Sequence, residues 1–290
     1  MMKFTLASRH KEDGTRERYF YEWSIMHVAL MITGPHACQV FKRYVQHFAI
    51  AGVSNDELVY PLSDEGWESF AEHWVDSYED MAKSVHSPDY VHRMQPHRFG
   101  SSKFITSLSN FEVIHQQDGF RSGGVKLVHF LKKQPGVDKE RFNQWLRAKR
   151  APAIVAAVCK PGLVRKYVQD MPVPIDPAVF KGTLFEAGSI GLYAGLEEFW
   201  FESVEDLVRL RRQGEIFDGI TSNEQGYVDA AGSISMVVNE RVVWDFVTPG
   251  ETTPRPAVLD PETLEAYIDR QGYGDFDKPK LMRGHALSAD

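Results

Sequence analysis

The sequence predicts an α+β fold, in which two ferredoxin-like βαββαβ units fused in one chain form a pseudo-dimeric α+β barrel. First, the strand-like run 41–48 is nearly copied at 164–171, and in both runs two basic residues precede Tyr-Val-Gln. Second, other segments match at nearly the same offset, 123 residues early in the chain and 126 around Trp74 and Trp200. Third, the two halves share one order of elements. Together these observations predict a tandem duplication.

The matched segments divide the chain into four parts. We expect a first ferredoxin-like unit at 1–118, a linker at 119–124, a second unit at 125–247 and a C-terminal arm at 248–290. The end of the arm is rich in Gly, Asp and Lys. This composition predicts a segment that packs on a partner, giving a homo-oligomer, or stays mobile.

In the first unit, apolar residues recur every three or four positions over 16–33, which predicts an amphipathic helix capped by Thr15. Gly34-Pro35 is expected to end it. Ser77 is expected to start a short second helix. Extended patterns rich in aromatic and β-branched residues predict four strands, at 3–9, 38–50, 67–75 and 107–115.

The second unit repeats this order. Helices are predicted at 138–158 and 203–213, and a long loop containing Pro and Gly at 172–195. Beyond the unit, Asp260 would cap a short helix at 260–271. Four strands are predicted, at 125–133, 163–171, 196–202 and 233–246.

A four-stranded antiparallel sheet with both helices on one face leaves its other face bare. Two such sheets can bury these faces against each other. We therefore expect a small barrel with a cavity between the sheets.

Bulk properties exclude several classes of function. A net charge of −7 and a pI of about 5.9 argue against nucleic acid as the main partner. No apolar run is long enough for a membrane span, and the N-terminus lacks the apolar core of a signal peptide. Two cysteines in 290 residues indicate a reducing compartment. We expect a cytoplasmic protein whose partner is a small-molecule substrate.

The second unit resembles the EthD family of dimeric α+β-barrel proteins. The resemblance rests on the run 125–133, Pro135-Gly136, Phe142, Ala151-Pro152, the run 165–169 and the aromatic and acidic run 199–206. It covers about 1–247, once per unit. It implies small cofactor-free enzymes (dehydratases, decarboxylases, cyclases and some monooxygenases) or proteins without an assigned activity.

Members of this family commonly carry a His late in the first helix, followed by Ala-Pro. The first unit keeps the His, as His27, but not Ala-Pro, and the second keeps Ala151-Pro152 but has Arg150 in place of the His. The two units differ in complementary ways, which suggests one working pocket.

Nine of the eleven histidines lie at or before His115, so the acid/base candidates belong to the first unit. Phenol and guanidinium groups could bind substrate and stabilise an enolate or carboxylate. The catalytic candidates are His27, His47, His73 and His115. The substrate-binding candidates are Tyr44, Tyr167 and Arg150.

Structural roles compete with these assignments. Tyr44 and Tyr167 match each other, so a shared packing role is the alternative, and Arg150 could belong to a solvated basic helix face with Arg147 and Lys149. No metal and no cofactor are predicted. The spacing of His86, His92 and His97 matches none of the compact zinc patterns. Some fused barrels of this architecture bind haem through a His, but no signature here requires haem.

The leading hypothesis is a cofactor-independent lyase of the dehydratase or decarboxylase type. It would use His acid/base chemistry on a small aromatic or polyketide-like molecule in the barrel cavity. One alternative is a cofactor-free monooxygenase of the same fold. The other is a non-catalytic small-molecule-binding or assembly protein.

Overall fold

The computed structural model contains nine strands in the residues it describes. Those residues are 1–33, 35–88, 90–94, 99–159, 162–212, 224 and 226–248. The strands are β1 Met2–Ser8, β2 Arg43–Ala49, β3 Ser69–Val75, β4 Ile105–Gln116, β5 Gly124–Leu131, β6 Lys166–Pro172, β7 Ser189–Ile190, β8 Gly195–Phe201 and β9 Ile234–Asp245.

Eight of these strands pair antiparallel in a closed ring. Their order is β1-β3-β2-β9-β5-β8-β6-β4, and β4 pairs back with β1 to close the barrel. The first half (residues 1–118) contributes β1 to β4, and the second half (125–247) contributes β5, β6, β8 and β9. The halves meet along the β2–β9 and β4–β6 seams. The short β7 lies parallel to β4, outside the ring.

Helices cover the outer face of each half. In the first half α1 (Arg16–Tyr21) continues through a π-helical stretch, Glu22–His27, into α2 (Val28–Thr33), and Thr15 caps α1 as predicted. Then follow α3 (Pro35–Val40) and α4 (Tyr78–Val85), which Ser77 caps. The second half has α5 (Lys139–Trp145), α6 (Ala151–Ile154) and α7 (Val204–Arg212), with π-helical stretches at Leu146–Arg150 and Val155–Cys159.

The predicted strand at 38–50 is wrong at its start. Pro35 does not end the helical region but opens α3, since proline is compatible with the first turn of a helix. The strand β2 therefore begins only at Arg43. The predicted loop 172–195 contains two 3₁₀ turns, Pro177–Phe180 and Leu184–Ala187.

Within the part of the chain described, no helix combines the length and apolar character needed to span a bilayer. The predicted helix at 260–271 and the arm beyond Thr248 lie outside the described residues.

Side chains alternate between the barrel interior and the helix-covered outer face. On β1 and β3, Lys3 and Glu72 point inward, whereas Phe4 and His73 point outward under the helices of the first half. The interior is filled by buried side chains rather than left as the expected cavity. Its apolar part is formed by Ala7, Phe70, Ile105, Val128, Phe130, Leu196, Met236 and Val238.

Candidate functional site

A cavity of about 830 Å³ lies in the first half, between the outer face of the sheet and the helices. Strands β1 and β3 form one wall through Phe4 and His73, and the helix opposite contributes Trp23 and His27. A segment of the second half, residues 183–187, completes the wall. The cavity thus lies outside the barrel, although we expected it between the sheets.

His73 is the buried imidazole of this cavity. It is 7% exposed, and its ring stacks on Tyr44 with centroids 4.5 Å apart and an interplanar angle of 8°. The ring of Phe41 packs 4.9 Å away. Burial lowers the pKa of His73 to about 4, against a smaller opposing effect of the Phe4 backbone. The ring is therefore neutral at pH 7, and its Nδ1 is buried.

His27 faces the same cavity from the helical side. It is the last residue of the π-helical stretch in the first helix, a distortion that is common at functional sites. Its half-buried ring lies 5.5 Å from that of Phe99 and 6.2 Å from that of Tyr44. The cavity therefore joins two imidazoles from two different elements, the arrangement needed for paired proton transfer.

Tyr44 supports His73 rather than facing the cavity. Its hydroxyl accepts a hydrogen bond from Gln46 Nε2 at 2.8 Å, and burial raises the pKa of the phenol above its ordinary range. Tyr167 has the same place in the second half and accepts from Gln169 at 2.6 Å. These matched contacts favour the packing role over direct substrate binding.

Arg150 does not lie on a solvated helix face, and that interpretation is wrong. The side chain is 1% exposed, and Nη2 lies 2.8 Å from Glu197 Oε2 on β8. Nη1 pairs with Glu224. The hydroxyl of Tyr167 donates to Glu197 at 2.6 Å. Arg150 is therefore occupied in an ion pair of the second half and is not at the cavity of the first.

His47 points into the barrel. Its Nδ1 donates to the Phe70 carbonyl at 2.9 Å, and Nε2 lies 3.2 Å from Glu72 and 3.3 Å from Glu240. His115 lies near the end of β4, half-buried and opposite Tyr167. Neither histidine lines the cavity, so the four catalytic candidates do not form one cluster.

The centre of the barrel holds four buried charges, which we call the ion square: Lys3, Glu72, Lys126 and Glu198. Each lysine pairs with both glutamates, at 2.8 Å for Lys3 to Glu72 and 2.7 Å for Lys126 to Glu72. Burial would raise the pKa of Glu72, but Lys126 and Lys3 hold it well below its ordinary value. The square joins the two halves, because each supplies one lysine and one glutamate.

Asp170 lies beside the ion square, 2.8 Å from Lys3. Burial raises its pKa well above the ordinary value, and Glu198 acts in the same direction, against the opposing charge of Lys3. Asp170 is the counterpart of His47 on the matched strand of the second half, since Tyr44-Val45-Gln46 matches Tyr167-Val168-Gln169.

Among the described residues, two groups of side chains have metal-ligand geometry, and both share Glu72. One adds His47 and Glu240, the other Asp170 and Glu198. The ammonium groups of the ion square already lie at salt-bridge distances from these carboxylates. They supply the positive charge that a metal ion would otherwise bring.

His86 Nε2 lies 2.6 Å from the Val179 carbonyl, whereas the side chain of His92 and all of His97 lie outside the described residues. Among the described residues that line the cavity, His27 and His73 carry the imidazoles that could ligate a metal or a haem iron.

Sequence reasoning missed the small residue on the cavity wall. Ala71 on β3 pairs with Leu6, and in the second half the pair at the same register is Glu197 with His129. The offset of 126 residues that relates Trp74 to Trp200 also relates Ala71 to Glu197. This comparison was a signal available in the sequence.

No protein-family model and no curated protein matches the chain. Among solved structures, two proteins described as "putative monooxygenase" are similar. The one from Lactobacillus acidophilus has 8% identity and a TM-score of 0.46, and covers 83% of this chain and 95% of its own. The one from Fusobacterium nucleatum has 6% identity and a TM-score of 0.47, and covers 83% and 93%.

Chlorite dismutase from Candidatus Nitrospira defluvii is also similar, at 11% identity and a TM-score of 0.44, with 92% of this chain and 94% of that chain covered. At these identities and scores the likeness carries no argument about activity.

Proposed function

We propose that the chain is an enzyme that moves protons on a small organic molecule bound in the cavity of the first half. The observation that carries the proposal is the neutral imidazole of His73, which lies in the wall of a cavity that His27 also faces. A few polar groups in the wall of a mostly apolar cavity can fix the orientation of a ligand. The aromatic walls favour an aromatic ligand.

The chemistry fits a cofactor-independent lyase. In a dehydration, His73 accepts a proton from a carbon next to a carbonyl group, and the C–H electrons form the new double bond. The C–O bond breaks on the neighbouring carbon, and His27 donates a proton so that water leaves. His73 then releases its proton to solvent and His27 takes one up from solvent, which restores both rings. Paired acid/base catalysis of this kind contributes about 10²- to 10⁴-fold in rate.

The wider assignment is part of the same proposal. The resemblance of the two halves to EthD proteins, and the strand order that they share, support a tandem duplication of a ferredoxin-like unit. We place the units at 1–118 and 125–247, with a linker between them. The low cysteine content supports a cytoplasmic location. The arm after residue 247 would mediate homo-oligomers.

Two single variants and a matched control test the catalytic roles. His73→Gln and His27→Gln should each lower kcat by about 10²-fold or more, on a panel of aromatic β-hydroxyketones and β-ketoacids. His115→Gln, outside the cavity, should retain wild-type kcat. Full activity in both cavity variants would refute the proposal.

The same purified protein separates the alternatives. Binding of panel compounds without turnover would favour the small-molecule-binding alternative. Oxygen consumption that depends on a panel compound would favour the monooxygenase. A visible absorption band in the purified protein would point to haem and refute the cofactor-free chemistry.

A further inference from the structure

The cavity of the first half has a counterpart in the second half, and the two differ greatly in volume. The open cavity measures about 830 Å³ and its counterpart about 10 Å³. Five lining positions are the same in both by sequence offset and strand register. In the open cavity they are Phe4, Leu6, His27, Met31 and His73, and in the filled one Leu127, His129, Arg150, Ile154 and Phe199.

An ion pair fills the second cavity. Arg150 reaches from the helix to Glu197 on β8 and makes hydrogen bonds through Nε and Nη2. At the matched positions the first half has the shorter His27 and, on β3, Ala71 with only a methyl group. The open cavity therefore occupies the place that a guanidinium and a carboxylate occupy in the other half.

Without that ion pair, the described residues of the deep cavity wall carry no charge. Its buried residues include Phe4, Trp23 and Ala71, and burial keeps the His73 ring neutral. Among the described residues, the charged ones that line the cavity are all exposed: Lys11, Glu12, Asp13 and Glu186. A carboxylate at the deep end would lose its hydration without gaining a cation.

We propose that the cavity takes an uncharged planar aromatic ligand whose hydroxyl group hydrogen-bonds the imidazole of His73, and that Ala71 sets this specificity by leaving room for the ring. A hydroxyl both donates and accepts, so it can pair with a ring nitrogen in either imidazole tautomer. The stacked ring of Tyr44 and the tilted rings of Phe41 and Phe99 pack around the two histidines and hold the site in shape. The inference rests on the proposed function for its site but not for its reaction.

Three probes with the same ring system test the ligand class by calorimetry at pH 7. They are 2-naphthol, naphthalene, which lacks the hydroxyl, and 2-naphthoate, which is charged. We expect 2-naphthol to bind about tenfold more tightly than either, the value of one hydrogen bond at a buried site. Equal or tighter binding of 2-naphthoate, or no binding of 2-naphthol, would overturn the inference.

The double variant His27→Arg/Ala71→Glu tests the role of Ala71, because it copies the ion pair of the second half. It should fold, as judged by circular dichroism, and weaken 2-naphthol binding by more than about tenfold. Ala51→Glu, at an exposed turn, is the matched control and should bind like wild type. If the double variant does not fold, Ala71→Leu fills the same space without charge. Wild-type affinity in whichever filled variant folds would overturn the role of Ala71.

The outcomes for the two proposals are distinguishable. Selective 2-naphthol binding by a protein that turns over none of the panel would retain the ligand class and refute the lyase. Turnover that depends on His73, together with equal binding of 2-naphthol and 2-naphthoate, would retain the lyase and refute the ligand class.

Discussion

At matched positions the two halves differ, because one encloses an open cavity and the other is filled. Under the helices of the first half an open cavity is faced by His27 and His73, whereas the second half fills this space with Arg150 and Glu197. Inside the barrel the halves stay alike, since each supplies one lysine and one glutamate to the ion square. The difference teaches that the interior joins the halves, while the outer faces are free to differ: one encloses a cavity and the other is filled by an ion pair.

The largest effect is expected when the ion pair of the filled half is removed. Glu197→Ala leaves Arg150 buried with one carboxylate instead of two and removes the acceptor of the Tyr167 hydroxyl. We expect a loss of about 3 to 5 kcal/mol in the free energy of unfolding, measured by urea denaturation. Glu202→Ala is the control, because Glu202 is exposed and its pair with Arg165 should contribute less than about 1 kcal/mol. Equal losses in both variants would show that the ion pair does not stabilise the second half.

The second prediction converts the open half toward the filled one. His73→Phe places in the first half the residue that the second half has at Phe199. The pKa of His73 in the folded protein, about 4, lies below its unfolded value of about 6.5. As pH falls through this window the unfolded chain takes up the proton first, so His73 lowers the stability of the wild type.

We therefore expect the free energy of unfolding of His73→Phe, relative to that of the wild type, to rise by up to about 3 kcal/mol as the pH falls from 7 to 4. The free energy of unfolding at several pH values checks this, and other titrating groups cancel in the difference. Parallel pH profiles for the two proteins would contradict the neutral, buried state of His73.

The smallest expected effect compares the two halves at the matched tyrosines Tyr167 and Tyr44. The hydroxyl of Tyr167 donates to the charged Glu197, whereas that of Tyr44 has the neutral partner Gln46. Hydrogen bonds to charged groups contribute more, so Tyr167→Phe should cost about 2 kcal/mol and Tyr44→Phe about 1 kcal/mol in unfolding free energy. A larger loss for Tyr44→Phe would reverse the assignment of the filled half as the more strongly stabilised one.

Much of the fold could be predicted from local patterns. Turn residues and strand-like runs placed most strands within a few residues of their observed bounds, and Thr15 caps the first helix as expected. The start of β2 could not be placed, because Gly34-Pro35 suits the start of a helix as well as the end of one.

The site was predicted only in part, for a physical reason. Repeats show which residues match but not which face of a strand they occupy, so His47 and His73 were equivalent candidates although they point to opposite sides of the sheet. The burial of Arg150 depends on Glu197, which lies 47 residues away. No local pattern near Arg147 and Lys149 indicates such a long-range partner.

The ion square has a consequence for how separated halves would choose partners. Each half carries a lysine and a glutamate, so the square alone would accept a copy of the same half as readily as the other half. The residue pairs along the two seams between the halves are more selective than the ion square. In the observed pairing His47 lies opposite Glu240, and Asp170 lies opposite Phe111. Two second halves would instead bring Asp170 against Glu240, and this meeting of acids disfavours self-association of the second half.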